Sequence, residues 1–129
     1  RTLATAIAET TYHRARFLAA TREPPMELDM RALAATLDAA LHDVRGMGAA
    51  HPEWYRSDDY AAPQALARAL RAAGSWGIAY DSVRDPGGEC VAVFRPRALA
   101  GCRQGAHLAY VWDGERIAFV YEKRALRRR

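Results

Sequence analysis

At 129 residues, 50% of them hydrophobic, the chain is long enough for one domain with a real core and too short for two. No apolar run approaches the roughly 20 residues of a membrane span, and no charged-then-apolar leader precedes a cleavage site, so the expectation is a soluble, unexported protein of the cytoplasm. The net charge of +4 raises nucleic acid as a partner. However, every basic residue except Lys123 is Arg and Ala is abundant, which is the codon bias of a GC-rich genome, and the densest run (Arg124, Arg127, Arg128, Arg129) has the look of a solvated tail. Direct nucleic-acid binding is therefore not expected.

The first helix is predicted over residues 3–20, LATAIAETTYHRARFLAA, where Leu3, Ile7, Phe17 and Leu18 recur near a 3.6 period with Ala between them. Thr2 is placed to cap its start, and Pro24 and Pro25 forbid its continuation. In MELDMRALA the period drops to two: Met26, Leu28, Met30 and Ala32 alternate with Glu27, Asp29 and Arg31, as in a half-buried strand. Leu37 to Val44 reads equally as a short helix or an irregular continuation. Gly46 and Gly48 then break the chain, and His51 to Tyr60 reads as loop or short turns.

Pro63 stands in the first turn of a second helix whose face is Leu66, Ala69, Leu70 and Ala73, with Gly74 at its C-terminal stop. Three strand runs follow, at 76–83, 88–94 and 107–123. The last is split at Asp113-Gly114, a hairpin signal. Helix, strand, helix, then strands is not the steady alternation of a doubly wound sheet, so the expected class is mixed α+β, a largely antiparallel sheet with flanking helices.

Two residues stand out chemically. Glu9 is the acid of the first helix, on a face with Tyr12, His13 and Arg16 rather than Leu3, Ile7 and Phe17. It is either part of a solvated face, paired with His13 or Arg16, or a carboxylate held above a cleft. Ser82 shares a strand face with Ile78 and Tyr80. A serine at a strand end usually bonds nearby backbone, but Asp85-Pro86-Gly87-Gly88 has turn chemistry of its own, which leaves Ser82 available for another task. Cys90 and Cys102 have neither CxxC spacing nor a histidine pair beside them. His13, His42, His51 and His107 are scattered, so no metal site is expected. G-x-S-x-G, GxxxxGK[ST] and GxGxxG are all absent.

YDSVRDPGGECVAVFRPRAL together with AETTYHRARFLAA resembles the RES-domain family, toxins of bacterial toxin–antitoxin pairs named for an Arg, a Glu and a Ser. EPPMELDMRAL and the HDVRG segment extend the likeness over most of the chain. In this resemblance Glu9 matches the family's Glu and Ser82 its Ser, which implies catalytic roles for both. It implies NAD+ contacts from Glu9, Ser82 and Tyr80.

The family's Arg, and a Tyr that helps hold NAD, fall upstream of residue 1. Residues 1–129 are thus expected to be a RES-type domain lacking its N-terminal segment, and Arg1 is not given the Arg role. The implied fold is like that of ADP-ribosyltransferases, with NAD+ as substrate between the first helix and the sheet. The implied activity is NAD+ glycohydrolysis or transfer of ADP-ribose to a protein target. The implied partner is a cognate antitoxin with a DNA-binding, Xre-like part. Breaking the nicotinamide–ribose bond develops oxocarbenium character, which a fixed carboxylate stabilises. The rival reading is a non-catalytic binding module that engages protein or nucleic acid through its basic surface.

Overall fold

The computed structural model describes residues 2–126, so Arg1 and, of the basic run, Arg127, Arg128 and Arg129 lie outside the described residues. The chain divides into two compact units. One runs through Glu9 and resumes over Thr36–Ala100; the other takes Thr10–Ala35 and the chain from Gly101 onward. Helix α1, Leu3–Thr21, begins in the first unit and continues into the second.

The first turn of α1 is capped as expected: Thr2 Oγ1 accepts the Thr5 main-chain N–H at 3.2 Å. The inward face is the expected one only at Ile7, which is half-buried, and Leu18. Leu3 is 45% exposed and Phe17 59%, whereas Thr5 and Leu18 are buried. Small Ala side chains take three of the positions between Leu3 and Glu9, so partners for Thr5 and Glu9, not apolar bulk, decide how the first half of the helix faces the fold.

In the first unit, β2 (His42–Asp43) runs parallel to β3 (Gly77–Asp81), which pairs antiparallel with β4 (Glu89–Val93), in the order β2-β3-β4. The Tyr80–Cys90 and Asp81–Glu89 pairs lie at the end of the β3–β4 ladder nearest the turn. Of the two readings of Leu37–Val44, the irregular continuation holds and the short helix does not. The preceding strand, β1 (Met26–Leu37), stops at Leu37 and the two-residue β2 follows.

A single 3₁₀ turn at Pro52–Tyr55 precedes α2, Ala61–Ala72. Leu66, Ala67 and Leu70 on α2 are half-buried, while Ala69 and Ala73 are exposed, which rotates the inward face slightly from the expected one. Gly74 ends α2 at φ 87°. Its N–H reaches Arg71 O at 3.1 Å and that of Ser75 reaches Leu70 O at 3.0 Å, the paired bonds of a Schellman stop. Val44, Ile78 and Ala98 form the buried apolar centre of this unit, with Ser75 and Ser82 buried beside Thr5 as polar members.

The second unit holds the other three-stranded sheet, ordered β1-β5-β6, with β5 at Leu99–Trp112 and β6 at Ile117–Lys123. Leu28, Met30 and Ala32 are the half-buried side of β1, in the alternation read from the sequence. β5 and β6 are antiparallel around the Asp113-Gly114 turn, where Asp113 Oδ1 accepts the N–H groups of Glu115 and Arg116, both at 2.9 Å. β5 starts at Leu99, well before the expected 107; residues 99–105 are exposed and show no apolar alternation, so no strand signal marks them.

The core here is Leu18, Leu108, Ala109, Tyr110 and Trp112. Its two large aromatics satisfy their polar ends, Trp112 Nε1 donating to Glu23 O at 3.0 Å and Tyr110 Oη bonding Thr10 Oγ1 at 2.7 Å. Among the described residues the class is thus mixed α+β as expected, with two largely antiparallel three-stranded sheets where one was expected.

Candidate functional site

Thr5 and Glu9 lie four residues apart on α1, so both point the same way, toward the turn that joins β3 to β4. Thr5 Oγ1 donates to Asp85 Oδ2 at 2.6 Å. One helical turn later, the Glu9 carboxylate receives Ser82 Oγ–H on Oε1 at 2.6 Å and Arg84 Nη1 on Oε2 at 3.0 Å. The β3–β4 turn is therefore tied to the helix at two points, and the Glu9 carboxylate is one of them.

The turn supplies the direction of the Ser82 hydroxyl. Ser82 N–H bonds Gly88 O at 2.8 Å, and Gly88 N–H bonds Asp85 O at 2.7 Å. Main-chain N–H groups of Arg84 (3.2 Å) and Asp85 (3.0 Å) both donate to Ser82 Oγ. With those two donors on its lone pairs, the hydroxyl's own proton is left for Glu9. The expectation that the Asp85–Gly88 turn relieves Ser82 of turn bonding is thus corrected: Ser82 organises the turn and holds the carboxylate with the same oxygen. Gly88 is the residue that allows this closeness, since a Cβ there would sit 2.6 Å from Asp85 Oδ2 and 2.8 Å from Thr5 Oγ1.

Glu9 and Arg84 are an inward pair, with side chains 19% and 11% exposed, so water screens them far less than a surface ion pair. The expectation of a solvated-face Glu9 bonded to His13 or Arg16 gives way to this arrangement. Arg84 also uses Nη2 to bond Ser57 O and Tyr60 Oη, each at 3.0 Å.

Tyr80, half-buried on β3, faces its cross-strand partner Cys90. Burial first, then the neighbouring Cys90 and Glu9, push the Tyr80 phenol up to about 12. Burial, followed by the charge of Glu9, also raises the Cys90 thiol, whose sulfur lies 3.9 Å from Glu9 Oε1. Glu9, Ser82 and Tyr80 therefore belong to one neighbourhood of the first unit.

Sequence reasoning did not assign Thr5, Arg84, Ser57 or Tyr60. Two of them carried a signal: Thr5 is one helical turn before Glu9, and Arg84 continues the alternation of Tyr80 and Ser82. Ser57 and Tyr60 carried none, since only the chain path brings them to Arg84. Elsewhere, carboxylates engage several basic side chains: Arg45 bonds Asp43 at 2.8 Å and Glu89 at 2.7 Å, and Lys123 bonds Glu27 at 2.6 Å and Asp29 at 2.5 Å. Among the described residues no group of three His, Cys, Asp or Glu is placed to hold a metal ion, and no helix is long and apolar enough to cross a membrane.

Comparison with known proteins gives two matches. The sequence profile described as "RES domain" matches residues 1–113. The "Uncharacterized protein y4oC" of Sinorhizobium fredii is 31% identical over 117 residues, which are 91% of this chain and 47% of that protein. The chain thus spans about half the length of the curated relative it matches.

Proposed function

The chain belongs to the RES domain family, and on that premise we propose that it is the NAD+-consuming toxin module of a bacterial toxin–antitoxin pair. One observation carries the reading: Glu9 and Ser82, the residues that the family resemblance assigns, stand 73 positions apart in the chain and meet in a 2.6 Å hydrogen bond.

The chemistry suits the pair. As the bond from ribose C1′ to the nicotinamide nitrogen breaks, its electron pair leaves with nicotinamide and positive charge grows on the sugar. Water, or a protein nucleophile, then bonds C1′ and loses its proton. Ser82 and Arg84 hold the Glu9 carboxylate by one oxygen each, and a carboxylate so fixed can stabilise the developing cation and orient a ribose hydroxyl. Ser82 holds Oε1 in place, and Tyr80, uncharged across the physiological range, supplies a neutral aromatic surface beside it.

The cytoplasm, where NAD+ is plentiful, is the site of action. A cognate antitoxin with a DNA-binding, Xre-like part restrains the toxin by denying NAD+ access to Glu9, and a protein acceptor for ADP-ribose is the alternative to water. The test is NAD+ consumption by the purified full-length protein and its Glu9→Gln variant. The folded variant is expected to lose about 10²-fold or more in kcat, the scale of removing one electrostatic stabiliser. Equal consumption by both proteins would overturn the reading.

A further inference from the structure

We propose that Arg84 is a positioning residue that fixes the Glu9 carboxylate and couples it to the Ser57–Tyr60 segment. The inference rests on the reading of Glu9 as the carboxylate that faces the reacting sugar.

Arg84 reaches the site twice. Its main-chain N–H donates to Ser82 Oγ at 3.2 Å, and its guanidinium returns to Glu9 Oε2 at 3.0 Å, while Ser82 itself donates to Oε1. Carboxylate, hydroxyl and guanidinium thus form a closed ring in which each carboxylate oxygen has a donor. Two donors on two oxygens set the plane of the carboxylate as well as its position, and a carboxylate that turns loses its alignment with the sugar.

The far end of the guanidinium is anchored too. Nη2 bonds Ser57 O and Tyr60 Oη, both at 3.0 Å, and both acceptors lie on the segment between the Pro52–Tyr55 turn and α2. A planar fork can serve Glu9 at one nitrogen and the segment at another; an ammonium is a point charge and cannot hold both geometries. At 11% exposure, with its named bonds directed into the protein, Arg84 is not an arm that reaches for substrate. Its effect is therefore expected in kcat and not in KM.

The experiment uses steady-state NAD+ consumption by the full-length protein, with circular dichroism as the check on folding. Arg84→Gln is expected to lower kcat by about 10- to 100-fold with KM within about threefold, and Arg84→Lys, which keeps the charge but not the fork, to fall between it and wild type. Tyr60→Phe is expected to cost roughly threefold in kcat in the wild-type background and nothing in Arg84→Gln, because its effect passes through the guanidinium.

A folded Arg84→Gln with wild-type kcat, or one in which KM alone rises, overturns the positioning role. Equal effects of Tyr60→Phe in both backgrounds overturn the coupling. If Arg84→Gln does not fold, the same cycle is run with Arg84→Lys, in which Tyr60→Phe is expected to cost less than in wild type; an equal cost again overturns the coupling. Glu9→Gln separates the two levels. Full activity there removes the reading of the site, whereas an inactive Glu9→Gln beside a fully active Arg84→Gln removes the role of Arg84 alone.

Discussion

The Cys90 thiol offers a probe of the Glu9 charge that does not depend on turnover. Burial and then the Glu9 carboxylate both disfavour the thiolate, so its titration lies above the ordinary thiol range. Cys102 is exposed and serves as an internal reference. Alkylation followed by mass spectrometry between pH 7 and 10 should show Cys90 reacting more slowly than Cys102. Replacing Glu9 by Gln removes a negative charge near the sulfur, which favours the thiolate, and should move the Cys90 profile to lower pH. An unchanged profile would mean that the charge of Glu9 does not reach the sulfur. The same residues show what a local pattern can carry. Glu9 and Ser82 were marked by their motifs, and Arg84 lay in plain view on the same alternating face. That Arg84 turns back to Glu9 depends on a turn whose tightness comes from Gly88, where a Cβ would meet Asp85 and Thr5.

At the scale of elements, the two helices end by the same device with different residues. The N–H of Arg22 bonds Ala19 O at 3.2 Å and that of Glu23 bonds Leu18 O at 3.0 Å, matching the paired bonds at the end of α2. Gly74 adopts φ 87° there, but in α1 the left-handed position falls to Arg22 at φ 53°. A side chain in this region costs about 1 kcal/mol relative to Gly. Gly74→Ala is therefore expected to destabilise by about 1 kcal/mol, and Arg22→Gly to stabilise by up to about 1 kcal/mol less the added freedom of the unfolded chain. Urea denaturation of the two variants checks both signs, and a shift in the same direction for both would refute the argument. The Gly74 stop was legible in the sequence because Gly is the usual residue there. The end of α1 was legible as well, from the prolines that follow, but the left-handed position of Arg22 was not. Residues 99–105 of β5 escaped notice for a related reason, since a strand exposed on both sides needs no alternation to be stable in a sheet.

At the scale of the molecule, each of the two units has buried residues of its own, and the two largest fully buried side chains, Tyr110 and Trp112, are in the second. Trp112 is 1% exposed and donates to Glu23 O, whereas Phe119 on β6 is 60% exposed and stacks on Tyr121. Trp112→Ala should cost about 3–5 kcal/mol through the cavity and the lost hydrogen bond, against about 0.5 kcal/mol or less for Phe119→Ala. Chemical denaturation measures the pair, and comparable losses would mean that the burial of Trp112 does not govern stability. The sequence by itself determined the α+β class, the order of the helices and of the strands other than β2, the Asp113-Gly114 hairpin, the Gly74 stop and the RES family. Each of these is written in neighbouring residues, as period, turn chemistry or motif. Only the tertiary structure decided that the strands form two sheets, that Thr5 and Glu9 rather than Leu3 and Phe17 face inward, and that Ser82 and Arg84 divide the two oxygens of Glu9 between them. The last two outcomes depend on contacts between residues more than 70 positions apart, and such contacts are set by the path of the whole chain, which no local pattern encodes.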